Sequence, residues 1–302
     1  MDRLAPGASP GVITLLIEPR RLAGGDGEAI SAAGEGAAGR PGADSAAESP
    51  PHALRIEGDA YRHLFRARRL AVGDRLRLVD GEGGARWGEV LQVGRTAAVV
   101  AVREAAGTNE PVVRLELLVP TLRPERASWL VEKATEVGAA GVTFHNSERA
   151  PRAFGGGTLA RLRRVAAAAV EQCHRSCCPE IAGPFPLASL LRAAPFQGAA
   201  SAVGAARAGF ALAGAPRLWL LDPAASVAGF HPSAHELAPD AARGPRAERL
   251  LVGPEGGWTA AELAALRAAG WQGVSLGPRV LRIETAAVAA AALLLLSPPD
   301  IT

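Results

Sequence analysis

Leu250-Leu251-Val252-Gly253-Pro254-Glu255-Gly256-Gly257 and, further along, Leu276-Gly277-Pro278-Arg279-Val280-Leu281-Arg282-Ile283-Glu284-Thr285-Ala286 decide how this chain is read. Each stretch runs from a short apolar strand, expected over 249–252 and 273–276, into a loop rich in Gly and Pro. Helical signals follow both loops. Thr259-Ala260-Ala261-Glu262 has capping-box spacing, and 284–296 reads as a last helix that is apolar nearly all round, as a helix buried in a core or against a partner must be. In an open parallel sheet, ligands bind beyond the carboxyl ends of the strands, which is where both loops fall. Their glycines permit close backbone approach to a ligand.

Working outward, the same rhythm extends upstream. Strands are expected over 113–119, 142–144 and 217–221, and helices over 124–137, opened by Pro124 and closed by Gly138, and over 158–175. Apolar strands alternating with helices specify an α/β domain whose parallel sheet is covered on both faces. Residues 195–216 and 223–247 read as Ala/Gly/Pro-rich connections. Ahead of this domain, 52–104 reads as a smaller β-rich domain. Residues 75–79 alternate with period two, Asp80-Gly81 supplies a turn, and 86–93 and 96–102 are further strands. A short helix over 61–70 puts Tyr61, Leu64 and Phe65 on one face and Arg62, Arg66 and Arg69 on another. Residues 12–18 form one strand. The stretch 21–50 has almost no large apolar side chain and is expected to be a disordered insertion. The boundaries drawn are 1–105 and 106–302.

Composition narrows the class. The chain has 302 residues, 48% of them hydrophobic and only 4% aromatic, so its cores must be built mainly from Ala, Val and Leu. Lys133 is the only lysine, and an Arg-rich surface suits RNA, because guanidinium forks pair with phosphate and stack on bases. The three cysteines, Cys173, Cys177 and Cys178, with no signal peptide, argue against a secreted disulfide scaffold. They also lack the further ligands that a structural zinc site needs, so packing is the expected role and no metal is expected. The longest apolar run, 286–296, is too short to cross a membrane. A soluble cytoplasmic protein is expected.

Neither loop is a phosphate cradle: there is no Gly-x-x-x-x-Gly-Lys-Ser/Thr and no Gly-x-Gly-x-x-Gly after a strand. Glu255 would repel a phosphate but tolerate a cationic or hydroxyl-bearing ligand, and S-adenosylmethionine has both features. The bland reading, two ordinary strand-to-helix turns, is weakened by finding two such loops with this residue order.

At these residues the chain closely resembles the RsmE family, 16S ribosomal RNA uracil-N3 methyltransferases of the SPOUT superfamily. His63-Leu64, Arg69-Leu70, Gly73-Asp74 and Asp80-Gly81 resemble that family's amino-terminal RNA-binding domain. Glu132-Lys133-Ala134-Thr135-Glu136-Val137-Gly138, Ser147-Glu148-Arg149 and Glu171-Gln172 with Arg175 and Pro179 resemble its central motifs. Departures are the insertion at 21–50, the run His174-Arg175-Ser176-Cys177-Cys178, and Ile283 where a Thr is frequent.

The resemblance implies a carboxy-terminal SPOUT sheet with a trefoil knot and a smaller amino-terminal β-barrel of PUA type. It implies a homodimer, and the small ribosomal subunit as substrate. It implies S-adenosylmethionine held by Leu221, Gly253, Pro254, Glu255, Gly256, Leu276, Gly277, Leu281, Arg282, Thr285 and Ala286. Arg62, Arg66, Arg69, Arg126, Arg149, Arg152 and Arg175 would face RNA. Arg282 is the candidate donor to a uracil anion and Glu284 a candidate base, although both glutamates, Glu255 and Glu284, could instead bond loop backbone. Competing readings are a SPOUT enzyme with another RNA target, such as transfer RNA, and a non-catalytic RNA-binding assembly protein.

Overall fold

A computed structural model describes residues 12–22, 28–29, 52–150, 154–192, 215–225 and 246–296. The chain divides into two compact units, Met1–Thr108 and Asn109–Thr302.

In the first unit the described strands are β1 (Thr14–Leu16), β2 (Glu28–Ala29), β3 (His52–Glu57), β4 (Arg75–Val79), β5 (Ala85–Val93) and β6 (Ala97–Ala105), with helices α1 (Pro19–Leu22) and α2 (Gly58–Tyr61). They make one sheet in the order β1-β4-β5-β6-β3-β2. β1 pairs with β4 in parallel and the other pairs are antiparallel. β1 and β2 are the two edges, and the described strands form a curled half-barrel, in keeping with the PUA-like β-barrel expected. Register shifts in β5, between Arg86 and Gly88 and between Val90 and Gln92, supply the bend. Leu54, Ile56, Leu64, Leu76, Leu78, Val90 and Val100 fill the concave side.

Within the stretch 21–50, Arg21 and Leu22 end α1, and Glu28 and Ala29 pair with β3. The remainder of the stretch lies outside the described residues. The helix expected over 61–70 is instead α2 followed by a π-helical segment, Arg62–Ala67, in which the Arg68 N–H donates to the His63 carbonyl. In β4, Arg77 is buried despite the period-two pattern, its guanidinium donating to the Gly107 carbonyl.

The second unit holds β7 (Val113–Pro120), β8 (Gly141–Asn146), β9 (Glu180–Pro186), β10 (Arg217–Leu221), β11 (Arg246–Val252) and β12 (Gln272–Val274). Its helices are α3 (Pro124–Glu136), α4 (Thr158–Cys173), α5 (Leu187–Arg192), α6 (Ala260–Ala268) and α7 (Ile283–Leu295). The sheet order is β12-β10-β11-β7-β8-β9, and every pair is parallel. All of β7 is buried, as a central strand covered on both faces must be. Leu115, Leu117 and Val119 pack with α3, α4 and α7, whereas Leu118 points to the other face with Leu190, Leu266 and Trp271.

Two polar side chains buried in this sheet converge on Glu116. Arg249 donates to Glu116 at 2.8 Å and Thr143 donates to the other Glu116 oxygen at 2.8 Å. Pro124 stands in the first turn of α3, and Gly138, at φ +102°, ends the helix against Pro111. β9 and α5 were not expected, and β11 begins at Arg246 rather than 249. The remaining connections, 193–214 and 226–245, lie outside the described residues.

Candidate functional site

At the carboxyl ends of β10, β11 and β12 the chain leaves a cavity of about 400 Å³. Gly253, Pro254, Glu255 and Gly257 of the first loop form one side. Leu276, Gly277, Leu281 and Arg282 of the second form another, and Leu221 and Ala286 line it from β10 and α7. Glycine is required at two of these places. A side chain at Gly253 would set its Cβ 2.9 Å from the Trp258 indole nitrogen, and Gly277 has φ +106°. Two residues expected at the cofactor are not in the lining of this cavity. Gly256 backs onto Arg149, and Thr285 lines a second, neighbouring cavity. Asp222, Trp258 and Ser275 also line the first cavity. Asp222, one residue past β10 and so at the same sheet end as the two loops, could have been found from that position.

The second cavity, about 340 Å³, is lined by Glu125, Arg126 and Trp129 from α3 and by Arg282, Glu284 and Thr285 at the start of α7. Arg126 and Arg282 line both cavities. The Arg126 guanidinium stands 3.6 Å from Glu255 and 3.6 Å from Glu284, tying the first loop to α7. Glu284 is buried, and its Oε2 has no hydrogen-bond partner. An acceptor in that state is costly unless a ligand brings it a donor.

Behind the first loop lies His145, fully buried at the end of β8. Its Nε2 is 3.1 Å from the Val252 carbonyl, so Nε2 carries the proton and Nδ1 is left as a lone pair without a partner. Burial pushes its pKa down to about 4, against the opposing pull of that hydrogen bond. The neutral ring stacks on Trp258 with centroids 5.7 Å apart, bracing the loop from beneath.

The expected RNA-facing arginines divide. Arg62, Arg66 and Arg69 are exposed on the first unit. Arg62 pairs with Asp59, and Arg66 donates to the Arg95 carbonyl while lying over the Tyr61 ring. Arg126 belongs to the two cavities. Arg149 is exposed but donates to the Gly256 carbonyl at 2.7 Å, holding the first loop. Arg175, expected at the surface, is buried, bonded to Glu110 and to the Thr135 and Ala139 carbonyls. Glu110 in turn accepts the Ser176 and Cys177 N–H groups. Arg152 lies outside the described residues. The three cysteines are half-buried thiols, and among the described residues no cluster of His, Cys, Asp or Glu could hold a metal.

A parallel sheet with two glycine loops enclosing a cavity at its carboxyl end is the framework of an RNA methyltransferase domain. That family matches residues 108–209 and 219–295, and the RNA methyltransferase PUA domain matches 56–102. The chain is 32% identical to ribosomal RNA small subunit methyltransferase E of Mycobacterium bovis, over 78% of this chain and 83% of that protein. It is 26% identical to the protein of the same name from Synechocystis, over 76% and 68% of the two chains. A ribosomal RNA small subunit methyltransferase E from Neisseria gonorrhoeae, solved bound to S-adenosyl methionine, shares the fold at 24% identity with a TM-score of 0.62, covering 82% of this chain and 92% of that one. The chain belongs to the ribosomal RNA small subunit methyltransferase E family.

Proposed function

We propose that this protein transfers a methyl group from S-adenosylmethionine to N3 of a uridine in 16S ribosomal RNA of the small subunit. The observation that carries this is the first cavity, and its residues fit that cofactor. Gly253 and Gly277 leave room for it. Leu221, Leu276, Leu281 and Ala286 offer apolar walls to an adenine. The carboxylates of Glu255 and Asp222 suit hydroxyl groups or a cation and disfavour phosphate. When bound, S-adenosylmethionine supplies an electrophilic methyl on a sulfonium.

The protein's part is alignment and charge. Uracil N3 is a poor nucleophile until its proton leaves, so negative charge on the ring must be stabilised as it develops. Arg282, which lines both cavities, is read as the donor to the uracil carbonyl oxygens. Glu284, with an unpaired oxygen, is read as the acceptor of the N3 proton. Arg126 positions both glutamates. Near-wild-type turnover by Arg282→Ala, with cofactor binding intact, would remove Arg282 from this scheme.

The reading includes further parts. The carboxy-terminal sheet is read as a SPOUT fold with a trefoil knot through the cofactor loops. The domains are read as 1–105 and 106–302, and Arg62, Arg66 and Arg69 as phosphate contacts. A homodimer is supported by α7, which is apolar along most of its length yet leaves Leu293, and Leu296 just past its end, exposed. No described helix is long and apolar enough to cross a membrane, and a substrate in the small subunit makes the cytoplasm the expected compartment.

Calorimetric titration with S-adenosylmethionine, on the intact chain and on Ala286→Phe, tests the cavity. Binding that the substitution abolishes supports it. Failure of the folded wild type to bind, even with small subunits present, overturns it. The site is then mapped on unmethylated small subunits, where a methyl on N3 blocks the Watson–Crick edge and arrests reverse transcription at one uridine.

A further inference from the structure

The second cavity has features that cofactor binding does not use. Trp129 is 43% exposed on α3, one helical turn beyond Glu125 and Arg126. A large, half-exposed indole lining a polar cavity leaves much of its aromatic face open to a ligand. The opposite wall holds Glu284, buried with one oxygen unpartnered. The cavity lies at the starts of two 13-residue helices, α3 and α7, and the free N–H groups of a first turn favour negative charge. Arg126 and Arg282 join this cavity to the first. An aromatic face, an acceptor and the guanidiniums of Arg126 and Arg282, with Glu125 the other carboxylate in the lining, together suit a planar base that gives up a proton as it reacts.

We infer that the second cavity seats the target base once it has left its stack, with Trp129 as the face on which the ring lies and Glu284 as the acceptor opposite its N–H edge. This rests on the methyltransferase reading above. Enzymes acting on a base within structured nucleic acid take it out of the stack, and the protein must replace the lost stacking. Among the described residues Trp129 is the only aromatic side chain lining this cavity. Base–aromatic stacking, to judge by its usual strength, affects binding by roughly ten-fold or more.

Two substitutions separate stacking from bulk. Trp129→Leu keeps an apolar side chain of good helix propensity without the π face, and Trp129→Phe keeps a ring. Steady-state methylation of small subunits is measured for both, alongside cofactor titration and the oligomeric state. The expected result is kcat/KM at least ten-fold lower in Trp129→Leu, largely restored in Trp129→Phe, with cofactor affinity and oligomeric state unchanged. Equal activity of Trp129→Leu and wild type overturns the inference. So does a loss accompanied by a changed oligomeric state or weakened cofactor binding, which makes Trp129 an interface or scaffold residue. A wild type that binds no cofactor fails the functional reading itself, and is thereby distinguished from failure at Trp129.

Discussion

His145 shows how much one buried side chain sets the condition of the site. Its folded pKa, near 4, lies below the value near 6.5 of an unfolded histidine. Between those values the unfolded chain takes up a proton that the folded chain refuses. Stability is therefore undiminished above pH 6.5, falls as pH drops through the window, and is down by about 3 kcal/mol below pH 4. Chemical denaturation of wild type and His145→Gln across pH 7 to 4 should show a shallower decline in the variant. Parallel curves would mean that the ring is not held neutral. The Arg175–Glu110 pair makes a second residue-scale case. Both side chains are about 5% exposed, and Glu110 also satisfies two backbone N–H groups. Removing one member of such a pair strands the other, so Glu110→Ala should lower unfolding free energy by about 3–5 kcal/mol. A change under 1 kcal/mol in the denaturant midpoint analysis would show the site to be open to water.

Among the elements, α6 was the most completely written in the sequence. Thr259 accepts from the Glu262 N–H at 3.2 Å while Glu262 accepts from the Thr259 N–H at 2.9 Å, the reciprocal pair that the spacing implies. Glu262 also accepts the Glu148 N–H at 2.9 Å, so the cap fastens the loop after β8 to the helix after the first glycine loop. Thr259→Ala should cost about 1 kcal/mol of stability. Because this helix follows the cavity wall directly, cofactor affinity is expected to fall with it, and unchanged affinity would separate the cap from the site.

Elements hidden from the sequence have physical reasons for being so. β9, Glu180–Pro186, contains two prolines and a glycine; it is the sheet's edge, where a missing N–H is tolerated. The start of β11 was concealed because Glu248 is buried, its carboxylate accepting from the Trp219 indole at 2.9 Å and lying 3.9 Å from the Arg246 guanidinium. Both glycine loops were legible because glycine at a strand end signals backbone need. Arg149 and Arg175 were not, since an arginine facing solvent and one bonded to a carbonyl look alike in sequence. Trp258, too, could be placed only by its neighbours in space.

At the scale of the whole molecule, the two units should respond differently to salt, and the difference tests which arginines meet RNA. S-adenosylmethionine carries no phosphate, and its binding displaces no condensed counterions. RNA binding does displace them, so log Kobs should fall linearly with log salt concentration, by about 0.7–0.9 for each phosphate neutralised. Arg62 and Arg66 are exposed on the first unit, and their present partners are an exposed carboxylate and a backbone carbonyl. Exposed ion pairs are worth about 0–1 kcal/mol, so Asp59 does not withhold Arg62 from a phosphate. Arg66→Gln and Arg62→Gln should each weaken binding to small-subunit RNA and flatten the salt slope by about one contact, while calorimetric affinity for S-adenosylmethionine stays put. Weakened binding with an unaltered slope would show that these side chains touch no phosphate. In that case the arginine row beside the π-helical turn serves the fold of the first unit, and the RNA track must be sought on another face.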